Sequence, residues 1–215
     1  MGTSSVSVSE RHGARPFLWV ALALLLGALA GALVEAGGYL PGQWAAVHEL
    51  ATPWALVGFF LARPFRGFPR AAATGAGVLL AAVLGNAACK LAFYAAGSSR
   101  FWVGDLAGFL LGAAVIGGVL GVAAAASRSS NGWICAFGWG VPVGIATAET
   151  IFLLSGHLRL YGETRAALLA AAAAVAVAVI AARSASVPKV IMTSVIVATF
   201  AFPILSSARH LVPGL

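Results

Sequence analysis

The chain has 215 residues, of which 61% are apolar and 9% charged, and its mean hydropathy is +0.98. This composition leaves no room for a sizeable soluble domain and describes an integral membrane protein. The formal net charge of +7 is not a nucleic-acid signature, because the basic residues stand singly between apolar runs and form no recognition module.

Residues 1–16 are polar and are expected to form a disordered N-terminus. Arg11 and Arg15 precede the apolar run Phe17–Val34, as in a secretory signal. That run is longer than the roughly 7–15 residues of a signal core and matches the roughly 17–25 needed for one span, so a retained helix is predicted. Six further apolar spans follow: Thr52–Phe65, Ala71–Ala96, Phe101–Ala126, Gly132–Ser155, Arg165–Ala182 and Lys189–Ser206. The reading is an all-α, polytopic transmembrane helix bundle of about seven spans over residues 17–206, with residues 207–215 as a short tail. The second span is short, bounded by Pro53 and Pro64, and six spans plus a re-entrant piece is the alternative. The longest connection, Gly37–Thr52, carries Trp44, His48 and Glu49 and reads as an amphipathic interfacial segment, with Glu49 placed to cap the second span. The sixth span, nearly all Ala and Val, reads as a featureless lipid-facing helix. Cys89 and Cys135 have no metal or redox spacing and fall near opposite membrane faces, which argues against a disulfide.

Lys/Arg asymmetry orients the bundle. With the N-terminus inside, the cytoplasmic side holds Arg11, Arg15, Arg63, Arg66, Arg70, Arg128, Arg183 and Lys189; the other side holds Arg100, Arg159, Arg165 and Arg209. The protein is therefore expected in the cell membrane with its N-terminus cytoplasmic.

Only six residues are acidic. An ionised side chain at bilayer depth costs about 2.5–3.5 kcal/mol on insertion scales, so it persists where it pairs, protonates or works. Glu35 ends the first span, Asn86 and Lys90 lie late in the third, Asp105 lies in the first turns of the fourth, and Glu149 lies late in the fifth. Alternation of the spans puts all of them in one half of the membrane, together with Trp54, Phe93, Tyr94, Trp102 and Phe152. Asn86, Lys90 and Phe93 share a helix face, as do Asp105, Gly108 and Gly112. Gly104, Gly108 and Gly112 recur every four residues, and Gly140 and Gly144 repeat the spacing, which allows close helix contact. Pro142 is expected to kink the fifth helix. These features predict one cavity, open at one end and lined by Asn86, Lys90, Asp105 and Glu149. Plainer roles stand beside it. Asp105 can serve its helix N-terminus, Lys90 can snorkel or neutralise one acid, and Glu35 is close enough to the interface to be solvated.

The chemistry open to such a site is narrow. The chain has a single Asp, so no aspartate-rich motif can hold magnesium against a diphosphate, and it has no P-loop, zinc spacing or nucleophilic triad. No metal or cofactor is implied. A carboxyl in apolar surroundings stays protonated near neutral pH and can act as a general acid on a lipophilic substrate. A second carboxylate accepts the proton, and aromatic faces stabilise a cation formed in between, by about 0.5–2 kcal/mol per ring. Glu149, the more deeply embedded, suits the donor and Asp105 the base, with Glu35 as a third candidate. Asn86, Lys90, Trp54, Phe93, Tyr94, Trp102 and Phe152 are candidate substrate contacts. The set describes a cyclase that starts by protonating an alkene or epoxide.

Three stretches carry a resemblance: Leu50–Phe60 (LATPWALVGFF), residues 101–118 (FWVGDLAGFLLGAAVIGG) and Ala148-Glu149. Through them the chain resembles small actinobacterial integral membrane proteins, and it looks like the membrane terpene cyclases of indole-sesquiterpenoid (drimentine-type) pathways. The resemblance implies a farnesylated indole or a similar prenylated lipophilic substrate, membrane lipids as surroundings and no nucleic acid. In size and helix count the chain is also similar to the seven-helix cyclases of fungal meroterpenoid pathways. Those enzymes use an acid in a late helix, whereas this chain has no acid after Glu163, so their pattern does not carry over. The rival class is a small transporter or channel subunit using the same carboxylates as a proton or cation site. The unequal helices show no inverted repeat in its favour.

Overall fold

The computed structural model describes residues 14–37, 50–93, 99–156 and 161–211, with side chains over residues 17–37, 50–92, 106–154 and 167–203. Within them the chain forms seven helices: α1 (Ala14–Gly37), α2 (Ala51–Ala62), α3 (Phe68–Phe93), α4 (Ser99–Ala126), α5 (Gly132–Gly156), α6 (Tyr161–Ala181) and α7 (Val187–Leu211). No strand occurs among the described residues. Most boundaries differ from the expected ones by a few residues, and two of them change the reading of a terminus. α1 begins at Ala14, inside the segment expected to be disordered, and α7 runs to Leu211, into the expected tail. Both additions continue an existing helix, whose backbone hydrogen bonds extend at little cost once the first turn has formed.

The apolar helices are inside out relative to a soluble bundle. Large side chains such as Phe17, Leu33, Leu111, Leu168 and Phe200 face outward, as a hydrocarbon surround requires. Four stretches are long and apolar enough to cross a membrane: Phe17–Gly37, Phe68–Ala92, Leu106–Ala126 and Gly132–Leu154. The described apolar parts of α6 and α7, Ala167–Ala181 and Val187–Pro203, are shorter. α2 has only 12 residues, about 18 Å at 1.5 Å per residue, well short of a core of about 30 Å.

Small residues set the helix contacts. A Cβ on Gly31 or Gly85 would overlap backbone at Ala82 or Ala28, so α1 and α3 lie parallel with their main chains touching. Gly75, Gly117 and Gly121 place α3 against α4 in the same way, antiparallel. Gly140 and Gly144 receive Thr193, Ser194 and Val197 of α7, as their spacing predicted. Gly108 and Gly112 differ from expectation, because nothing lies within 4 Å of a Cβ at either position. The close approach on α4 is one turn and more further along, at Gly117 and Gly121, where α3 offers glycine and alanine in return.

α2 sits amid α1, α3, α4 and α5. Its Phe59 is fully buried with Trp139 of α5, their rings 5.4 Å apart, and Leu120 of α4 is fully buried in the same core. α6 is less featureless than its composition suggested. Ala167, Ala170, Ala174, Val177 and Ala181 form a buried stripe, and α5 is its main neighbour. Cys89 and Cys135 are free thiols.

Candidate functional site

A helix that starts inside a bundle has a problem at its first turn. Its leading N–H groups have no partner within the helix, and inside a membrane there is no bulk water to satisfy them. α2 starts this way at Leu50, which is buried and has no side-chain cap. Pro53 removes one of the orphan donors, because proline carries no N–H. The N–H groups of Ala51 and Thr52 remain.

Glu149 of α5 satisfies both. Its Oε1 accepts from the Ala51 N–H at 2.5 Å and its Oε2 from the Thr52 N–H at 2.8 Å. The Thr52 hydroxyl donates to the same Oε2 at 2.5 Å. The carboxylate is 5% exposed. A negative charge at a helix N-terminus is also favoured by the helix dipole. The sequence reading gave that capping role to Glu49, which lies outside the described residues. Thr52 was not singled out, and the signal for it was the Thr52-Pro53 pair at the start of an apolar run.

A second polar group joins α1 to α3. Glu35 is 4% exposed, so it is not solvated as the plainer reading allowed. Its Oε2 lies 3.3 Å from Lys90 Nζ and accepts from Asn86 Nδ2 at 3.0 Å. Asn86 and Lys90 are one turn apart and present both groups to the same acid. The parallel α1–α3 contact through Gly31 and Gly85 brings the three together. Asn86 and Lys90, expected as cavity lining, are therefore engaged by Glu35.

The aromatic candidates divide. Trp54 is partly buried against the central core. Phe152 packs with Leu50, Leu153 and Ala167 beside the capped end of α2, its ring 6.3 Å from Phe202. The side chains of Phe93, Trp102 and Asp105, and all of Tyr94, lie outside the described residues. The backbones of Trp102 and Asp105 belong to the first turns of α4, as expected.

At the other end of α2 the chemistry is basic. Arg63 follows the helix directly, and its guanidinium lies 4.8 Å from the centre of the Trp139 ring. Phe60 lies edge-on to the same ring, with centroids 6.3 Å apart. Arg128, in the α4–α5 turn, donates to the carbonyl of Phe65. An open groove of about 390 Å³ is lined here by Phe60, Arg63, Pro64 and Arg128. The sequence reading counted these arginines only as topology signals and gave no role to Trp139, which stands between Gly138 and Gly140. A tryptophan between two glycines, where neighbouring helices come close, is a core position.

A family model matches residues 10–211, nearly the whole chain. The chain belongs to the family of unknown function DUF6518. The match spans all seven helices. No curated protein and no solved structure matches the chain.

Proposed function

We propose that the protein is a membrane terpene cyclase that folds a farnesyl chain of an indole-type or similar lipophilic precursor into rings, starting from protonation. We place it in the cell membrane with the N-terminus cytoplasmic, on the eight-to-four division of Lys and Arg. The observation that carries the reading is a pair of buried carboxylates, Glu35 and Glu149, in a bundle that otherwise buries few polar groups. Trp54 in the first turn of α2 and Phe152 packed with Leu50 add aromatic surface for a cationic intermediate.

The hydrogen bonding favours a different division of the proton roles. Glu149 already accepts three hydrogens through both oxygens, which suits a group that takes a proton rather than one that gives it. Glu35 is engaged by Lys90 and Asn86. Asp105 is left as the donor, the reverse of the assignment drawn from depth alone. A proton added to one alkene carbon or epoxide oxygen creates a cation. Ring closure moves it along the prenyl chain, and loss of a proton to the base leaves an isomer of unchanged mass.

Expression in a host that supplies farnesylated indole and its epoxide tests the proposal. The expected product is a ring-containing isomer, identified by mass spectrometry and NMR. Asp105→Asn should lower its formation by about 10²–10⁴-fold, the usual effect of removing an acid–base group. Membrane-inserted protein that yields no isomer from either precursor would refute the cyclase. The Glu35–Lys90 pair also fits a proton or cation site in a small transporter. Proton uptake by reconstituted vesicles, without cyclisation, would support that reading instead.

A further inference from the structure

The basic end of the bundle carries more than an orientation signal. Three arginines lie in two turns at this end, Arg63 and Arg66 between α2 and α3 and Arg128 between α4 and α5. Arg63 and Arg128 line the open groove, together with Phe60 and Pro64. Arg66 acts electrostatically on Arg128, as does Arg63. Among the described residues no carboxylate pairs with any of the three, since the one ion pair there is Lys90 with Glu35. The helix ends explain this. Glu35, Asp105, Glu149 and Glu163 all lie at helix positions facing the opposite end.

Like charges gathered in two turns that touch repel one another, yet the fold holds them there. Arg128 is tied to the Phe65 carbonyl across the two turns. The face of Arg63 rests on Trp139, while its Nε is buried and has no hydrogen-bond partner. Partial desolvation, followed by the charges of Arg63 and Arg66, pushes the Arg128 guanidinium below its ordinary range. A bound anion would relieve the repulsion and supply acceptors. Guanidinium groups present several N–H donors in a plane, which suits oxyanions better than halide, and a phosphate brings more charge and more acceptor oxygens to several guanidinium groups than a single carboxylate does. Phe60 and Pro64 add an apolar wall, so a phosphate carrying an apolar group fits the groove.

We propose that Arg63, Arg66 and Arg128 form a binding site for a phosphate group at the basic end of the bundle. The phosphate can belong to an anionic lipid headgroup or to a soluble diphosphate, and the test separates these sources. This inference does not rest on the cyclase reading, because it concerns the other end of α2.

The experiment uses the full-length protein in dodecyl maltoside, with thermal unfolding and native mass spectrometry as readouts. The probes are phosphatidylglycerol, phosphatidylcholine and inorganic diphosphate. Saturable stabilisation by phosphatidylglycerol but not by diphosphate identifies a headgroup site. Stabilisation by diphosphate, with displacement of the lipid, identifies a soluble ligand. The double variant Arg66→Gln/Arg128→Gln should weaken binding of the active probe at least tenfold. Arg66→Lys/Arg128→Lys should recover part of that loss, because charge is kept and the planar donors are lost. Arg183→Gln, at the same end but outside the groove, should bind as the wild type does. The proposal is overturned if neither phosphatidylglycerol nor diphosphate binds the wild type saturably. It is equally overturned if the Gln pair binds with wild-type affinity, or if phosphatidylcholine binds as tightly as phosphatidylglycerol. Wild-type binding decides the matter even if the Gln pair does not fold.

Discussion

Replacing Glu149 by alanine should loosen α2 before it affects any chemistry. The substitution strands the N–H groups of Ala51 and Thr52, which the carboxylate holds at 2.5 and 2.8 Å, and leaves the Thr52 hydroxyl without its acceptor. A buried donor left unsatisfied costs about 1–3 kcal/mol, so two N–H groups and a hydroxyl total at least about 3 kcal/mol. In a chain of this length each kcal/mol moves the unfolding midpoint by about 2–4 °C, so a fall of about 10 °C is expected in detergent. Glu149→Gln keeps one acceptor oxygen but turns an amide N–H₂ toward a donor, so it should lose about 2 kcal/mol. Thr52→Val removes one hydrogen bond to a charged group, worth about 1.5–3 kcal/mol. Glu149→Ala combined with Thr52→Val should destabilise by less than the sum, with a coupling of about 1 kcal/mol or more, because both act on one bond. The assay is thermal unfolding of purified protein followed by tryptophan fluorescence at a single scan rate. A midpoint for Glu149→Ala within 2 °C of wild type, roughly 1 kcal/mol, would refute the capping role. Strict additivity of the two substitutions would refute it independently.

Other outcomes follow from the same contacts. Lys90→Met leaves Glu35 buried beside Asn86 alone and should cost about 3 kcal/mol, while Lys90→Met with Glu35→Met should recover most of that loss, read as unfolding midpoints. Gly31→Val should prevent α1 from docking on Ala82 and lower the yield of folded protein in size-exclusion chromatography, whereas Gly108→Ala meets open space and should be neutral or stabilising by up to about 1 kcal/mol. Reporter fusions after Phe68 and Leu160 should report opposite sides of the membrane, with the Phe68 site cytoplasmic, and a shared side would break the alternation of the helices.

The helices were legible in the sequence because hydrocarbon imposes a simple condition. Long apolar runs must be helical there, and each expected run coincides with a helix to within a few residues. The site was legible only in part. The sequence identified Glu35, Asn86, Lys90 and Glu149 as out of place, but not their partners. Lys90 and Asn86 reach Glu35 because α1 and α3 run parallel through touching glycines, a pairing of non-adjacent helices that no single-helix pattern encodes. Glu149 was read as functional because it interrupts an apolar helix. Its partners are main-chain N–H groups 97 and 98 residues away, which have no side-chain signature at all. Glycine spacing likewise marked α4 as a contact helix but pointed to the wrong turns. The Gly104–Gly112 series and the Gly117–Gly121 pair look alike until α3 supplies Gly75 and Ala71 opposite the second.

α2 ties these observations together. Twelve residues are too few for a stable isolated helix and too few to cross the bilayer core. Its two ends suit its dipole, with the Glu149 carboxylate at the first N–H groups and a basic residue, Arg63, directly after the last turn. Between them Phe59 and Ala62 are fully buried against the longer helices. Glu149, the acid that looks most functional in the sequence, therefore also holds this short element in place. Activity loss in a Glu149 variant is thus ambiguous by itself, since a displaced α2 moves Trp54 as well as the carboxylate. Asp105→Asn does not remove the cap, so it should lower cyclisation while leaving the unfolding midpoint near that of the wild type. If Asp105→Asn instead retains full activity, and Glu149→Gln loses activity only in proportion to folded protein, then the acids serve architecture and the cyclase reading loses its chemical basis.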